Sequence, residues 1–267
     1  MKAKAPTYGM YADMETDTIE KKRMYKVVQK NDLIQKARHS LTEKEMKLVD
    51  FCVSKVKDND KQFYEINTTL EEINEVMGFG VGGKNIETTL DSLLKISNKG
   101  FWLADKENPE VENITRWLNK ATVNKKTHEC TLLMDNILLP YLIFNTEEGG
   151  YTQYPLYHTT QISGKYALSL FKLLKSWSNV GGVSGTPEEF LSYFDKADTT
   201  WTNFNKLYLK PAIEQLNEKR VFENNELVYR GVKKGKYVTE VQLTLEPRVV
   251  EDSNEFDEVL KLNWLNA

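Results

Sequence analysis

The sequence predicts an α+β fold made of two similar modules, in which amphipathic helices precede small β-hairpins. Its 267 residues are enough for two domains of roughly 100 to 150 residues each. In both halves, apolar residues at helical spacing are followed by runs that alternate as strands do. Between the halves, residues 145–151 (NTEEGGY) have the composition of a linker.

The sequence predicts four parts of the chain. Residues 1–25 are expected to be a flexible N-terminal segment, 26–148 the first domain and 149–246 the second domain. Residues 247–267 form an acidic, amphipathic tail. The tail either docks on its own domain or binds a partner, and the sequence leaves both interpretations open.

The overall composition carries no bulk signature of a nucleic-acid-binding protein. The net charge is −3 and the pI is about 5.8, so affinity for DNA has to come from local basic patches. Cys52 and Cys130 lie in apolar periodic runs without paired spacing, which predicts reduced core residues. No apolar stretch has the length of a signal peptide or a membrane span. We expect a soluble, cytoplasmic protein with no membrane partner.

A capping box formed by Thr42 and Glu45 predicts the first helix of the N-terminal half. Thr68 then caps a second helix, which Gly78 ends. A third amphipathic helix follows a glycine-rich turn, and the pattern changes to strands after Gly100. The outer face of this third helix carries the polar residues Lys84, Asn85, Thr88 and Lys95.

The C-terminal half repeats this order of elements. Ser163 caps a helix, and residues 180–183 have the pattern of a short strand. Thr186 and Pro187 then open a short helix that ends near Phe194. Two helices joined by a brief turn, with a hairpin after the second, make a winged helix-turn-helix. Both halves therefore predict tandem winged-helix domains that are mainly helical with small β-wings.

A long helix begins near Thr200, and one of its faces is built for burial. Four apolar residues recur on that face at intervals of four, namely Phe204, Tyr208, Ala212 and Leu216. The opposite face projects cations and an amide that can reach phosphate oxygens or base edges. Its predicted DNA-binding residues are Thr200, Thr202, Asn203, Lys206 and Lys210. Leu207 falls near this polar face and interrupts it. Pro211 lacks an amide proton, so we expect a bend or local restart near Lys210.

Beyond this helix, residues 228–232 and 237–245 alternate as the two strands of a hairpin with Gly235 in its turn. The cations on the hairpin are Arg230, Lys233, Lys234 and Lys236. A positive helix beside a positive hairpin suits double-stranded DNA. The alternative, a solvated helix and an ordinary surface turn, is left open by this region taken by itself.

The motifs that would indicate an enzyme are incomplete. Residues 78–84 (GFGVGGK) match a dinucleotide motif, and a P-loop up to Asn85, where a P-loop needs Ser or Thr. Both motifs require a preceding strand, but here a helix comes first. His39, His128 and His158 lack metal-ligand spacing, including the histidine pair of rolling-circle nicking enzymes. We expect no enzyme activity, no catalytic residue, no cofactor and no metal site.

Several segments resemble the initiator replication proteins of iteron-containing, theta-replicating plasmids. Residues 27–34 (VVQKNDLI) and 41–45 (LTEKE) are similar to the opening signature of that family. Residues 163–174 (SGKYALSLFKLL) resemble the helix that opens its second domain. Residues 209–217 (LKPAIEQLN) resemble its recognition helix, and 233–236 (KKGK) resemble its wing. The acidic tail is not explained by this resemblance.

The resemblance implies a bacterial protein that binds double-stranded DNA at the repeated sequences of an origin and at an operator. It also implies a homodimer formed through the first domain, and contact with the host helicase machinery. Asn203, Lys206 and Lys210 would then enter the major groove, while the hairpin cations hold phosphates or an adjacent minor groove. The outer face of the third helix would be the equivalent surface of the first domain. A winged-helix transcriptional repressor without a replication role is the competing interpretation.

Overall fold

We describe the protein from a computed structural model, over residues 17–36, 40–58, 60–104, 108, 110–144 and 150–248. The elements of the N-terminal half are α1 (Ile19–Arg23), β1 (Lys26–Lys30), α2 (Asn31–Lys36), α3 (Glu43–Val53), β2 (Ile66–Thr69), α4 (Leu70–Met77), α5 (Gly83–Asn98), β3 (Gly100–Ala104), β4 (Glu112–Arg116), β5 (Leu118–Val123), β6 (Glu129–Met134) and α6 (Leu139–Leu142). Those of the C-terminal half are β7 (Tyr151–Pro155), α7 (Leu156–Gln161), α8 (Lys165–Ser176), β8 (Gly182–Gly185), α9 (Pro187–Tyr193), α10 (Trp201–Phe204), a π-helical turn (Asn205–Leu209), α11 (Lys210–Glu218), β9 (Asn225–Lys234) and β10 (Tyr237–Pro247).

The two halves share one topology. Each contains an antiparallel three-stranded sheet, in the orders β2-β6-β5 and β8-β10-β9. In both sheets the last strand along the chain lies in the centre, between the first and the second. Helix α3 precedes β2 and helix α8 precedes β8, and two helical segments follow each of these strands. In the first domain the β3–β4 hairpin also lies before the next strand, β5. Each half is therefore a winged-helix domain, as the sequence predicted.

Capping explains why several helices begin where they do. The predicted capping boxes at Thr42 and Thr186 are confirmed, and Pro187 occupies the first turn of α9. Two predicted caps are wrong by one residue. Thr68 pairs with Cys130 inside the sheet, so its neighbour Thr69 caps α4. The residue before α8 is Gly164, at φ 86, in place of Ser163.

An extra two-stranded sheet joins the domains across the predicted linker. Strand β1, at the start of the first domain, pairs antiparallel with β7, at the start of the second. Val27 lies opposite Tyr154 in this pairing, and both side chains are buried. Residues 145–149 lie outside the described part of the chain, so the boundary between residues 148 and 149 stays a prediction.

One apolar cluster runs through both domains. At its centre an ion pair joins α3 to α8, where Lys172 Nζ lies 2.6 Å from Asp50 Oδ1. The Asp50 side chain is fully buried and that of Lys172 is 10% exposed. Burial raises the pKa of Asp50, although Lys172 and the Tyr154 hydroxyl act in the opposite direction. Helices α3 and α8, one from each domain, are thus packed together around a desolvated charge pair.

The end of the segment predicted to be flexible, residues 1–25, contains helix α1, which contacts α4. In α1, Arg23 donates from Nε to the carbonyl of Val76 at 2.9 Å and from Nη2 to that of Glu75 at 2.6 Å. Lys22 Nζ, which is buried, lies 2.8 Å from Glu72. A cation at the carbonyl end of α4 satisfies groups that have no partner within that helix. Residues 1–16 and 249–267 lie outside the described part, and the predictions for them stay untested.

Candidate nucleic-acid interface

The predicted DNA-contacting helix spans residues 201–218 as one continuous helical segment with a π-helical turn in its middle. Pro211 has no N–H to donate to the carbonyl of Leu207, its partner in an α-helix. The N–H of the preceding residue, Lys210, bonds to the carbonyl of Asn205, five residues back. Helix α11 then starts at Lys210 with Pro211 in its first turn. The local restart expected from Pro211 is confirmed.

The π-turn aligns the exposed face of helix 201–218. Positions four apart drift around an α-helix by about 40° at each step, because a turn holds 3.6 residues. The wider π-turn offsets this drift. Two exposed residues in each turn consequently stay on one side of the helix. We call this set the exposed stripe, and it consists of Thr202, Asn203, Lys206, Leu207, Lys210, Pro211 and Glu214.

The predicted residues of this helix reach solvent. Asn203, Lys206 and Lys210 are all exposed, and neither lysine forms an ion pair with any residue that the structure describes. Thr200 has a second role, since its hydroxyl accepts the N–H of Asn203 at 3.4 Å and caps the helix. The stripe thus presents two lysines and an amide, the groups that contact phosphates and base edges, together with one carboxylate, Glu214, so its formal charge is positive by one.

The hairpin of the second domain presents three of its four predicted cations. Lys233 and Lys234 are exposed at the end of β9, where Lys234 lies opposite Tyr237. Gly235, at φ 65, and Lys236 form the two-residue turn. We call this hairpin, β9 to β10, the second-domain wing. Three exposed lysines, Lys233, Lys234 and Lys236, therefore lie close together at its tip.

Arg230 differs from these lysines because its charge is already balanced. Its guanidinium bonds to both carboxylate oxygens of Glu246 on β10, with Nη2 at 3.0 Å from Oε2. The hydrogen bonds and the negative charge of Glu246 raise the pKa of Arg230. Arg230 also lies four residues before Lys234, away from the turn. Arg230 therefore offers less net positive charge to a phosphate than the three lysines do, and its contact with DNA stays a prediction.

The helix and the wing are held together as one unit. The side-chain amide of Asn217 donates to the carbonyl of Leu227 at 2.9 Å and accepts its N–H at 2.8 Å. In the π-turn, Asn205 Nδ2 lies 3.4 Å from the Tyr229 hydroxyl. These bonds fix β9 against the helix, so the stripe and the wing keep a constant relation to each other.

The corresponding helix of the first domain, α5, has a neutral outer face. Lys84, Thr88 and Lys95 are exposed as predicted, while Asn85 is half-buried. The exposed acids Glu87 and Asp91 lie on the same helix. Asp91 forms a 2.6 Å ion pair with Lys95, and its hydrogen bond and charge raise the pKa of that lysine. This face thus lacks the excess positive charge found in the second domain.

Lys44 is a residue near this face that the sequence did not single out. From α3, its Nζ donates to the Thr88 hydroxyl at 2.6 Å and to the carbonyl of Asn85 at 3.2 Å. It also lies over the ring of Phe79, 4.6 Å from the ring centroid. Burial lowers the pKa of Lys44. The Thr88 hydroxyl is therefore already engaged within the protein.

The first-domain wing, the hairpin of β5 and β6, carries a second pair of lysines that sequence reasoning overlooked. Lys125 and Lys126 are exposed in its turn. Asn124 Oδ1 accepts the backbone N–H of Lys126 at 2.9 Å, which fixes the turn. The available signal was a lysine pair between two alternating runs, the pattern that identified Lys233 and Lys234 in the second domain.

The glycine-rich motif lies between two helices, as the sequence indicated. Gly78 ends α4 in a left-handed conformation at φ 70, and Gly82 precedes α5. Within the described ranges, no group of three His, Cys, Asp or Glu side chains is placed to hold a metal ion. Over the same ranges, none of the helices is both long and apolar enough to cross a lipid bilayer.

Comparison with known families and structures agrees with this architecture. Residues 26–175 match a family model described as Initiator Replication protein, WH1, and residues 186–245 match one described as Initiator Rep protein, WH2. The search of curated proteins gives no match.

The chain is similar in fold to solved structures. The chain is similar to the crystal structure of Pi initiator protein in complex with iteron DNA, with a TM-score of 0.63 and 12% identity, over 86% of this chain and 99% of that one. A structure of domains 2 and 3 of RctB gives a TM-score of 0.49 and 14% identity, over 80% of this chain and 86% of that one. At 12% identity, the likeness to Pi initiator protein shows the fold alone.

Proposed function

We propose that this chain, which belongs to the initiator replication protein family, starts replication of a bacterial plasmid by binding direct repeats at its origin. The observation that carries the proposal is the exposed stripe, in which Lys206 and Lys210 are exposed beside the lysine tip of the second-domain wing. The similar fold of Pi initiator protein was determined in complex with iteron DNA. In this chain the stripe would read bases in the major groove, and Lys233, Lys234 and Lys236 would hold phosphates.

The two domains would contribute unequally to this binding. The second domain has the positive stripe and the positive wing, and would supply most of the sequence recognition. The first domain has a neutral α5 face but carries Lys125 and Lys126 on its wing. We infer that it adds phosphate contacts on a neighbouring turn of the duplex. Two linked modest contacts give tight binding, because the second contact forms at high effective concentration.

A second copy of the chain is the protein partner that we propose for the first domain. Trp102 on β3 and Ile114 on β4 lie opposite each other and are 57% and 63% exposed. A two-fold interface places one surface patch against its own copy, so an exposed apolar cross-strand pair suits self-association. A Trp102→Lys variant should shift a dimer toward monomer in analytical ultracentrifugation. An unchanged dimer fraction would rule out this surface as the interface.

Origin opening follows from the same binding without any covalent step. A row of bound molecules would bend and strain an adjoining A·T-rich segment, which eases strand separation and loading of the host helicase. As a dimer, the protein would repress its own gene at an operator related to the repeats. The proposed role needs neither a nucleophile nor a metal ion, and it places the protein in the bacterial cytoplasm.

A replication assay tests the proposal against its nearest rival. A plasmid whose only origin is this gene with its flanking DNA should replicate in a suitable bacterial host. A Lys206→Ala/Lys210→Ala variant should abolish replication while its circular dichroism spectrum stays unchanged. If the wild-type plasmid fails to replicate although the protein binds and represses its own promoter, the transcriptional repressor is the correct function.

A further inference from the structure

We propose that Leu207 is a specificity-determining residue, which reads the C5-methyl group of a thymine in the major groove. The inference rests on the proposed DNA-binding function and assigns a role to the residue that interrupts the polar face. Leu207 is 59% exposed in the centre of the exposed stripe, next to Lys206. A surface leucine by itself needs no explanation. Leu207 differs from an isolated surface leucine because it lies among the side chains that would enter the major groove.

The neighbours of Leu207 would carry it to the base edges. Asn203 and Lys210 lie on either side of it along the stripe, and the π-turn keeps all three on one side of the helix. Pro211, also exposed, lies four residues after Leu207. If Asn203 and Lys210 contact the duplex, the Leu207 side chain between them lies against the floor of the major groove. Its apolar surface is then removed from water.

The chemistry of the side chain restricts what it can recognise. Leucine neither donates nor accepts a hydrogen bond, so it gains nothing from the polar groups of adenine, guanine or cytosine. Thymine is the base that presents an apolar group, its C5-methyl, at the major-groove edge. Burying a leucine against polar edges would leave those edges without water or partners, which disfavours other bases at this position.

The position of Asn203 adds a prediction about the site. An asparagine amide pairs well with the N6 and N7 atoms of adenine. Asn203 lies about one helical turn before Leu207, and a turn rises about 5.4 Å. Successive bases of one strand are about 3.4 Å apart. The thymine read by Leu207 should therefore lie within about two base pairs of an adenine read by Asn203.

A double-mutant cycle between protein and DNA tests this assignment. The probe is a duplex with one direct repeat from the DNA flanking the gene, in which single thymines are replaced by uracil, which lacks the C5-methyl group. Fluorescence anisotropy gives Kd for wild type, for Leu207→Ala, and for Val180→Ala. Val180 is an exposed apolar residue outside helix 201–218 and serves as the control.

At one thymine, wild type should lose about fourfold in affinity on uracil, the equivalent of roughly 0.8 kcal/mol for one methyl group. Leu207→Ala should bind the thymine probe no more tightly than the wild type binds the uracil probe. Replacing that same thymine by uracil should cause no further loss of affinity in this variant. Val180→Ala should behave as wild type. Equal sensitivity of wild type and Leu207→Ala at every thymine would overturn the assignment, as would a wild type indifferent to all replacements. Absence of any binding to the repeat would instead remove the proposed function itself.

Discussion

The side chain of Asn217, at the end of helix 201–218, forms hydrogen bonds with both backbone groups of Leu227 on the first strand of the second-domain wing. The carbonyl accepts at 2.9 Å and the N–H donates at 2.8 Å. Leu227 is buried, so its backbone groups depend on this amide for satisfaction. The asparagine thus sets the position of the wing relative to the exposed stripe.

Replacing Asn217 by alanine should loosen this arrangement. Two backbone groups of Leu227 would lose their partner, which costs about 1–3 kcal/mol for a buried group left unsatisfied. We expect a lower urea midpoint, together with weaker binding of repeat DNA at temperatures where the variant is still folded. Asn224→Ala, at an exposed residue in the turn before β9, is the control and should change neither measurement. Equal stability of the two variants would show that the amide does not fix the wing.

Lys234→Ala and Asn203→Ala should have different effects on DNA binding. A phosphate contact releases counterions, so Lys234→Ala should weaken binding to all sequences and reduce the slope of log K against log salt by about one. Asn203→Ala should leave the slope unchanged and reduce the preference for the repeat over random DNA. Titrations at several salt concentrations, with both probes, separate these outcomes. If both variants change the slope alike, the division between wing and helix is wrong.

The charges of the first domain predict which of its surfaces faces DNA. Lys125→Ala/Lys126→Ala should weaken binding about uniformly and reduce the salt slope, since the first-domain wing would hold phosphates. Asp91→Asn frees Lys95 from its ion pair on α5. If α5 lies away from the duplex, Asp91→Asn should leave affinity within about twofold of wild type at moderate salt, where charges beyond about 10 Å are screened.

A marked gain in affinity for Asp91→Asn would contradict this picture of the first domain. It would mean that α5 itself approaches the DNA and that Asp91 opposes binding. The same titration with Glu87→Gln, at the second exposed acid of α5, distinguishes a local effect of Asp91 from a general effect of net charge.

Lys172→Met should destabilise the whole chain, because it leaves the carboxylate of Asp50 buried without its partner. Breaking one side of a buried ion pair typically costs about 3–5 kcal/mol. Lys36→Met breaks the exposed pair with Asp32 and should cost less than about 1 kcal/mol. Urea unfolding of both variants at pH 7.5 gives the comparison.

Acid should rescue part of the loss in Lys172→Met. Burial already raises the pKa of Asp50 in the folded protein, and removing Lys172 takes away an opposing charge. An acid whose folded pKa lies above its unfolded value binds more protons when folded, so its contribution to stability falls as pH rises. The difference in unfolding free energy between wild type and Lys172→Met should therefore be smaller at pH 5 than at pH 7.5. A larger difference at pH 5 would contradict the expectation that the variant buries the Asp50 carboxylate without a partner.

The sequence predicted the parts of the fold that depend on neighbours along the chain. Capping boxes at Thr42 and Thr186 mark helix starts because their partners are three residues away. The interval of four between Phe204 and Tyr208 indicated the buried face, and Pro211 indicated the restart. These signals are local, and periodicity reports them directly.

Contacts between residues that are far apart in the sequence could not be predicted from local patterns. The pairing of Arg230 with Glu246 depends on the register of β9 and β10, and it balances the charge of one cation that was predicted to hold phosphate. The contact of Lys44 with Thr88 joins α3 to α5 across the first domain. Neither pair has a spacing pattern that a single sequence reveals, because both follow from tertiary packing.

The central claim, that helix 201–218 and its wing bind repeated DNA, is tested most directly by DNase I footprinting on the DNA that flanks the gene. The wild type should protect direct repeats of about 20 base pairs, which is close to two duplex turns. Lys206→Ala/Lys210→Ala should need at least tenfold more protein for the same protection, whereas Lys36→Ala/Lys61→Ala, which removes equal charge elsewhere, should match the wild type. Protection that is absent, or equal for the two double variants, would contradict the account.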